Sequence, residues 1–467
     1  MPIDLRFDAT DVALFADLYE FTVSAVFFEH QMNETATFEL AMRRLGPNRG
    51  YMVASGIERA LEVLEDFHID EASVAHLESL KLFKPEFLRF LGDLRFTGTV
   101  RALREGTVFF GGEPILQITA PLIEAQLVET LMLNQVGFAS VAASKAARCY
   151  SAAGGRRLVD FGPRRAQGAD APLTAARSSY LAGFDGTASV AAGRRYGIPV
   201  YGTMSHSFIM AHDTELKAFE DFVETFPRLS TLLVDTYDTV VGVQNAAKVG
   251  LKLREAGVKL SGVRLDSGDL RDLAFKSRKV LDQAGLNDVA IFASGNLDEY
   301  KIEELVAARA PIDAFGIGTA LAVSDDAPAA DFNYKLVEYR GTPRMKLSAG
   351  KISTPGRKQI FRASNTEGLY CGDLVGLIDE SPATVTREFR QTPASVAPIL
   401  ETQLESGRRT MPRPKLEEMR EHALAEFQHL DARLKVLRKA AEYPVKITAA
   451  LNAMLISEKM RAERRQE

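Results

Sequence analysis

The stretch GIPVYGTMSHSFIMAH, residues 197–212, carries two of the chain's seven histidines, His206 and His212, six positions apart. On a helix that spacing turns the two side chains about 240° from each other, and on a strand it leaves them roughly 20 Å apart. They cannot share a metal as an i, i+4 pair does. His206 by itself has two readings. It is a packed or helix-capping imidazole, or it is a group set beside a phosphate. The second follows because Gly202 and Thr203 end an apolar run just before a helical pattern, which places backbone N–H groups and a hydroxyl next to the ring. There an imidazole can donate to a phosphoryl oxygen or attack it.

VRLDSGDL (263–270) sets Arg264, Asp266, Ser267 and Asp269 around a glycine. Two acids near a phosphate can hold Mg²⁺ directly or through water, or take ribose hydroxyls, while the Arg264 guanidinium can fork an oxyanion. The alternative is a turn in which Ser267 or Asp269 caps the next helix, and Asp269 is assigned to that cap. FGPRRAQG (161–168) pairs Arg164 with Arg165, one for a ligand and one for structural acids. FASGNLD (292–298) and FGIGTAL (315–321) offer Gly295 and Thr319 in loops whose amides could cradle a phosphate, although a tight βα turn alone also needs such glycines. Tyr19, in ADLYEFT, reads as helix core on periodicity.

These residues must be positioned by something, and the pattern from Leu158 to Leu321 supplies it. Short β-rich runs (RLVDFG, IPVYGT, TLLVDTY, SGVRLDSG, VAIFASGN, AFGIGTA) alternate with helical patterns. In DTELKAFEDFVETF, for example, Leu216, Phe219, Phe222 and Val223 keep helical spacing, and AAKVGLKLREAG ends on a capping Gly257. Repeats of roughly 25 to 40 residues suit parallel strands with crossover helices, as a barrel or a doubly wound sheet, of which the barrel is preferred. Arg164, Thr203, Asp266, Ser294, Gly295 and Thr319 all fall at or just after the end of an apolar run, the functional face of such folds. The flanks differ, with a helical start, VFFGGEPILQITAP, and later strand candidates cut by Gly and Pro. They are expected to combine as one further domain around the barrel, with divisions at 1–128, 129–334 and 335–467 and a charged helical tail from about Pro414.

The 467 residues are 46% hydrophobic, enough for two or three units with sizeable cores. The net charge of −5, with signs interspersed, offers no face for nucleic acid or anionic lipid. MPIDLRFDATDVALFADLYE lacks a cationic leader, and no apolar run is long enough to span a bilayer, so a cytoplasmic location is expected. Cys149 and Cys371 are too few for a disulfide framework or a four-cysteine zinc site.

In order, DLYEFT, DFGPRRAQG, GFDGTASV, GIPVYGTMSHSF, TLLVDTYDT, VRLDSGDL, SGNLDE, FGIGTAL and YKLVEYRGTPRMKLS resemble the nicotinate phosphoribosyltransferase family, from about residue 11 to the late 300s. The resemblance implies a type II phosphoribosyltransferase: an irregular α/β barrel plus an α/β sandwich domain from both flanks, commonly a homodimer with active sites near the subunit interface. It implies transfer of phosphoribosyl from phosphoribosyl pyrophosphate to nicotinate in NAD salvage, with ATP as co-substrate and Mg²⁺ assisting. By the same resemblance His206 is the residue phosphorylated from ATP, Thr203 contacts nicotinate, and Arg264 meets its carboxylate or adjoining substrate oxygens. Tyr19, reaching from a partner subunit, and Phe161 sandwich the pyridine ring; Arg164 and Asp266 hold phosphates and the ribose or metal; Gly295 and Thr319 bind the phosphoribosyl substrate. No residue is assigned as a metal ligand. Ala188 stands where nicotinamide-specific relatives have Asp, which spares a substrate carboxylate from repulsion. The segment ADAPLTAAR departs from the glycine-rich form of the family. The alternatives are a nicotinamide- or quinolinate-using enzyme, or a catalytically silent homologue that binds phosphoribosyl compounds.

Overall fold

Six short parallel strands follow the expected cadence: β1 (Arg157–Asp160), β2 (Gly186–Thr187), β3 (Thr231–Leu233), β4 (Gly262–Leu265), β5 (Ala290–Ala293) and β6 (Ala314–Ile317). In the sheet they lie in the order β2-β1-β6-β5-β4-β3, each pair parallel. Taken as a ring that order is sequential, with β6 beside β1 and one seam left open ahead of β3. The sheet is therefore a barrel opened on one side. β4 and β6 are buried along their whole length, as strands covered on both faces must be. The computed structural model describes residues 12–46, 48–347 and 353–464. The N-terminal stretch through Asp11, and residues 348–352 after the YRGTPRMKLS motif's Leu347, lie outside the described residues.

IPVYGT does not become a regular strand. Pro199 has no N–H to donate, and only one parallel bridge forms, Val200 to Thr187, with Tyr201 N–H donating to the Thr187 carbonyl at 2.9 Å. GFDGTASV, by contrast, supplies β2, a two-residue strand too short for a periodicity signal.

Acidic residues start several helices on the face where the strands end. Asp238 caps helix Thr239–Glu255, Asp269 caps Leu270–Gln283, and Asp298 caps Glu299–Ala307, each accepting backbone N–H bonds near 3 Å. Each cap satisfies an otherwise orphaned donor, which fixes where the loop ends and the helix begins.

The chain divides into two compact units, Ala142–Pro328 and the remainder up to Val141 together with Ala329 onward. The second unit draws on both flanks. Its seven-stranded antiparallel sheet places Thr35–Met42 between Pro114–Pro121 and Phe332–Tyr339, with Phe38 opposite Leu336 and Leu40 opposite Leu116. A four-stranded sheet is formed by Ser395–Pro398, Lys358–Ser364, Tyr370–Leu377 and Val445–Ile447. No helix among the described residues is long and apolar enough to cross a membrane.

Candidate functional site

Arg264 is the hub of the strand-end face. It lies near the end of β4, nearly buried, and each guanidinium nitrogen is committed. Nε donates to Ser294 Oγ at 2.8 Å, Nη1 to Thr203 Oγ1 at 3.1 Å, and Nη2 to Asp266 Oδ1 at 2.8 Å. The group also stands 5.0 Å from the centroid of the Phe161 ring, within reach of a cation–π interaction. A single planar fork thus ties together the ends of β1, β4, β5 and the segment that carries Thr203. Burial pushes the Asp266 carboxyl up, but the Ser294 hydrogen bond and the charge of Arg264 outweigh it and leave Asp266 below the usual carboxylate range. It is held ionised at neutral pH.

His206 opens helix His206–Met210, which Ser205 caps through the N–H of Phe208. Its Nδ1 lies 3.1 Å from Thr236 Oγ1, three residues past β3. That bond spans the open seam of the barrel. Nε2 stands 3.7 Å from Asp266 Oδ2, beyond hydrogen-bond distance, and the side chain is 42% exposed. Beside it, Asp235 Oδ2 accepts from Ser267 Oγ and from the N–H of Asp266, whereas Asp235 Oδ1 is buried without a partner. Thr203, Arg264 and Asp266 are therefore one hydrogen-bonded group, with Phe161 against its cation and His206 alongside Asp266.

Close backbone approach shapes the neighbouring loops. At Gly295 φ is +94°, and a Cβ there would lie 1.9 Å from the Asp266 carbonyl oxygen. At Gly316 a Cβ would lie 2.7 Å from the Phe161 ring, which also packs on Phe292 at 5.5 Å. These two positions require glycine for space.

Other expected residues stand differently. Thr319 begins the short helix Thr319–Val323 and is exposed. Arg164 and Arg165 are both exposed, and neither forms an ion pair among the described residues, so the expectation that one of them faces structural acids does not hold. Both lie in the turn at 163–165 that follows β1. Tyr19 lies in the other unit, on helix Leu18–Glu29, 45% exposed rather than buried in a helix core; partial burial and the nearby Glu129 raise its phenol pKa. That helix is apolar nearly all round, which is why periodicity could not say which face is covered. His212 sits in the turn before helix Glu215–Thr225, its Nδ1 2.8 Å from the Phe208 carbonyl oxygen and its Nε2 3.5 Å from Asp221. Asp269 spends its side chain on the cap of the next helix.

Residue-level reading missed Asp160, Thr187, Asp235 and Thr236. Each is an Asp or Thr at or just past a strand end, a position with a ready turn explanation. The available signal was the recurrence of such residues at successive strand ends.

The comparisons with known proteins agree along the chain. Models described as the nicotinate phosphoribosyltransferase N-terminal domain, the nicotinate phosphoribosyltransferase family and the nicotinate phosphoribosyltransferase C-terminal domain match residues 14–137, 156–363 and 357–455. The chain is 47% identical over 438 residues to nicotinate phosphoribosyltransferase pncB2 of Mycobacterium tuberculosis, covering 93% of this chain and 91% of that protein. Its fold is similar to the crystal structure of human nicotinic acid phosphoribosyltransferase, with a TM-score of 0.84, 31% identity and coverage of 94% and 99%. It is also similar to nicotinate-nucleotide pyrophosphorylase from Pyrococcus furiosus, with a TM-score of 0.74, 26% identity and coverage of 92% and 99%.

Proposed function

This chain belongs to the nicotinate phosphoribosyltransferase family and carries that activity in NAD biosynthesis, and from that premise we propose that it works through a phosphohistidine at His206. In this reading the acceptor is nicotinate, the donor is phosphoribosyl pyrophosphate, and ATP hydrolysis is coupled to the transfer. The observation that carries the proposal is the placement of His206. With Nδ1 engaged by Thr236 and Nε2 left open beside Asp266, one ring nitrogen is oriented and the other is available as nucleophile. Nε2 attacks the γ-phosphorus of ATP, an N–P bond forms, the P–O bond to ADP breaks, and water later releases inorganic phosphate.

Phosphoribosyl transfer needs a weak nucleophile, the pyridine nitrogen, aligned on an anomeric carbon that develops positive charge as pyrophosphate departs. Phe161 offers a face for the ring, with Tyr19 of a partner subunit as the opposite face. Arg264 and Thr203 receive the carboxylate, and Ala188 leaves room without a repelling acid. Asp266 takes ribose hydroxyls, Arg164 the phosphates, and the Gly295 and Thr319 loops the phosphoribosyl group. Phosphorylation of His206 adds about −1.5 to −2 charge next to Asp266 and Arg264, enough to reorganise the fork around the substrates.

The residues present fit Mg²⁺. Asp235 has a buried oxygen with no hydrogen-bond partner and Asp266 is held ionised, so these two would hold the ion together with substrate phosphates. No cluster of three or more metal-ligating side chains is found among the described residues. When bound it neutralises charge on the departing pyrophosphate. We further propose a cytoplasmic homodimer; the exposed Leu18, Tyr19 and Val26 on one helix support the association of two copies.

Incubation with γ-labelled ATP tests the central claim. The expected result is acid-labile, base-stable label on the wild-type protein, none on His206→Ala, and slow ATP-independent nicotinate mononucleotide formation by the variant. Label that persists on His206→Ala refutes the assignment.

A further inference from the structure

We infer that Asp160 and Thr187 form a clamp that sets the slot for the pyridine ring of nicotinate, which makes them positioning residues for that substrate. The inference rests on the reading above that Phe161 and Ala188 border the ring.

Asp160 ends β1 and Phe161 follows it; Thr187 ends β2 and Ala188 follows it. Asp160 binds across this pair of strand ends with three of its oxygens. Oδ2 accepts from Thr187 Oγ1 at 2.7 Å, Oδ1 from the Gly162 N–H at 2.7 Å, and its carbonyl oxygen from the Ala188 N–H at 2.8 Å. Thr187 Oγ1 in turn accepts from the Ser189 N–H at 3.0 Å. Phe161 is thus tied on both sides, through Asp160 and Gly162, and Ala188 on both sides, through Thr187 and Ser189. Both residues that border the slot hang from one carboxylate and one hydroxyl.

The surroundings leave this arrangement little slack. A Cβ at Gly162 would lie 2.6 Å from Ala322 Cβ, and one at Gly186 would lie 2.3 Å from the Pro199 carbonyl oxygen. The Asp160 side chain is almost wholly buried, and a hydroxyl and a backbone N–H meet it rather than a cation. Only a carboxylate accepts from both at once. An Asn in its place would turn its NH₂ group toward one of the two donors. Arg264, 5.0 Å from the Phe161 ring, then meets a ring whose position the clamp has already fixed.

Steady-state kinetics of the full-length enzyme separate this role from a merely structural one. Thr187→Val keeps the shape and removes the hydroxyl. It should raise the KM for nicotinate about tenfold, the loss of roughly one hydrogen bond, while the KM for phosphoribosyl pyrophosphate stays within about twofold. Thr187→Ser, which restores the hydroxyl, should return the nicotinate KM to near the wild-type value. Asp160→Asn should repeat the Thr187→Val result and serves where that variant does not fold. An unchanged nicotinate KM in the folded variants, or an equal rise in both KM values, overturns the clamp. Phe161→Ala tells the two readings apart. If it leaves the nicotinate KM unchanged, the ring-slot reading itself fails; if it raises that KM while Thr187→Val does not, only the clamp fails.

Discussion

Arg264 and Asp160 show opposite ways of keeping a buried polar group at the end of a strand. Arg264 finds an acid, two hydroxyls and a ring face, so its charge is compensated where it lies. Asp160 finds only neutral donors, and burial pushes its carboxyl up to about 6. The sign of the resulting stability effect is fixed. The folded protein holds the Asp160 proton more tightly than the unfolded chain does, so this group favours folding below its ordinary value and the advantage fades as pH rises to about 6. Over that window the shift corresponds to roughly 3 kcal/mol. Wild type minus Asp160→Asn should therefore lose up to about that much unfolding free energy between pH 4 and pH 7, measured by denaturant melts at a series of pH values. A difference that stays flat would falsify the assignment. At this scale His206, Thr203, Arg264 and Asp266 were legible because strand-end spacing and residue type pointed the same way. Asp160 and Thr236 were not, since each acts on a partner about thirty positions away in sequence, as in the bond from Thr236 to His206.

The elements bring the site together through close backbone contact as much as through side chains. The turn after β5 passes over the turn after β4 at Gly295, where a Cβ would meet the Asp266 carbonyl oxygen at 1.9 Å and φ is +94°. Gly295→Ala must therefore displace one of the two loops, and the displaced loops carry Ser294 and Asp266, both bonded to Arg264. We expect a rise of about tenfold or more in the KM for phosphoribosyl pyrophosphate and a destabilisation of roughly 1–3 kcal/mol, read by kinetics and thermal melts on one preparation. Wild-type values for both would show that the loops are not in this contact. The glycine was visible in SGNLDE, but a tight turn explained it equally well; only the distance across to the next loop separates the two accounts. The β-rich runs that became β1, β3, β4, β5 and β6 were legible through their apolar continuity. IPVYGT failed as a strand because proline removed a ladder donor, and β2 escaped notice because two residues show no period.

At the scale of the whole molecule, the unit outside the barrel depends on charges brought from distant parts of the chain. Arg362, buried on Lys358–Ser364, donates from Nη2 and Nε to Asp373 Oδ2 at 2.7 and 3.0 Å and from Nη1 to the Val108 carbonyl oxygen at 2.7 Å, and lies 3.4 Å from Glu426 and 3.7 Å from Glu113. The rings of Phe110 and Tyr370 stand 5.3 and 4.7 Å from its guanidinium, and the Tyr443 hydroxyl donates to Asp373 at 2.7 Å. Three carboxyls around one cation would leave excess negative charge in a dry site. Burial, reinforced by Asp373, raises the Glu113 carboxyl well above its ordinary range, so that group keeps its proton and the imbalance shrinks. None of this was legible in the sequence, because the partners are spread from residue 108 to residue 443 and no local pattern marks a buried arginine. Arg362→Leu removes the cation that these carboxylates share while Asp373 and Glu426 remain. Breaking a buried pair on one side costs about 3–5 kcal/mol, since it strands a charge without a partner. Arg362→Leu combined with Asp373→Leu removes the nearer of the two stranded charges as well, and it should be more stable than the single variant although it lacks more hydrogen bonds. Denaturant unfolding of wild type, single and double variants decides the point: a double variant weaker than the single would mean that packing around Arg362, rather than charge balance, holds the flanks together.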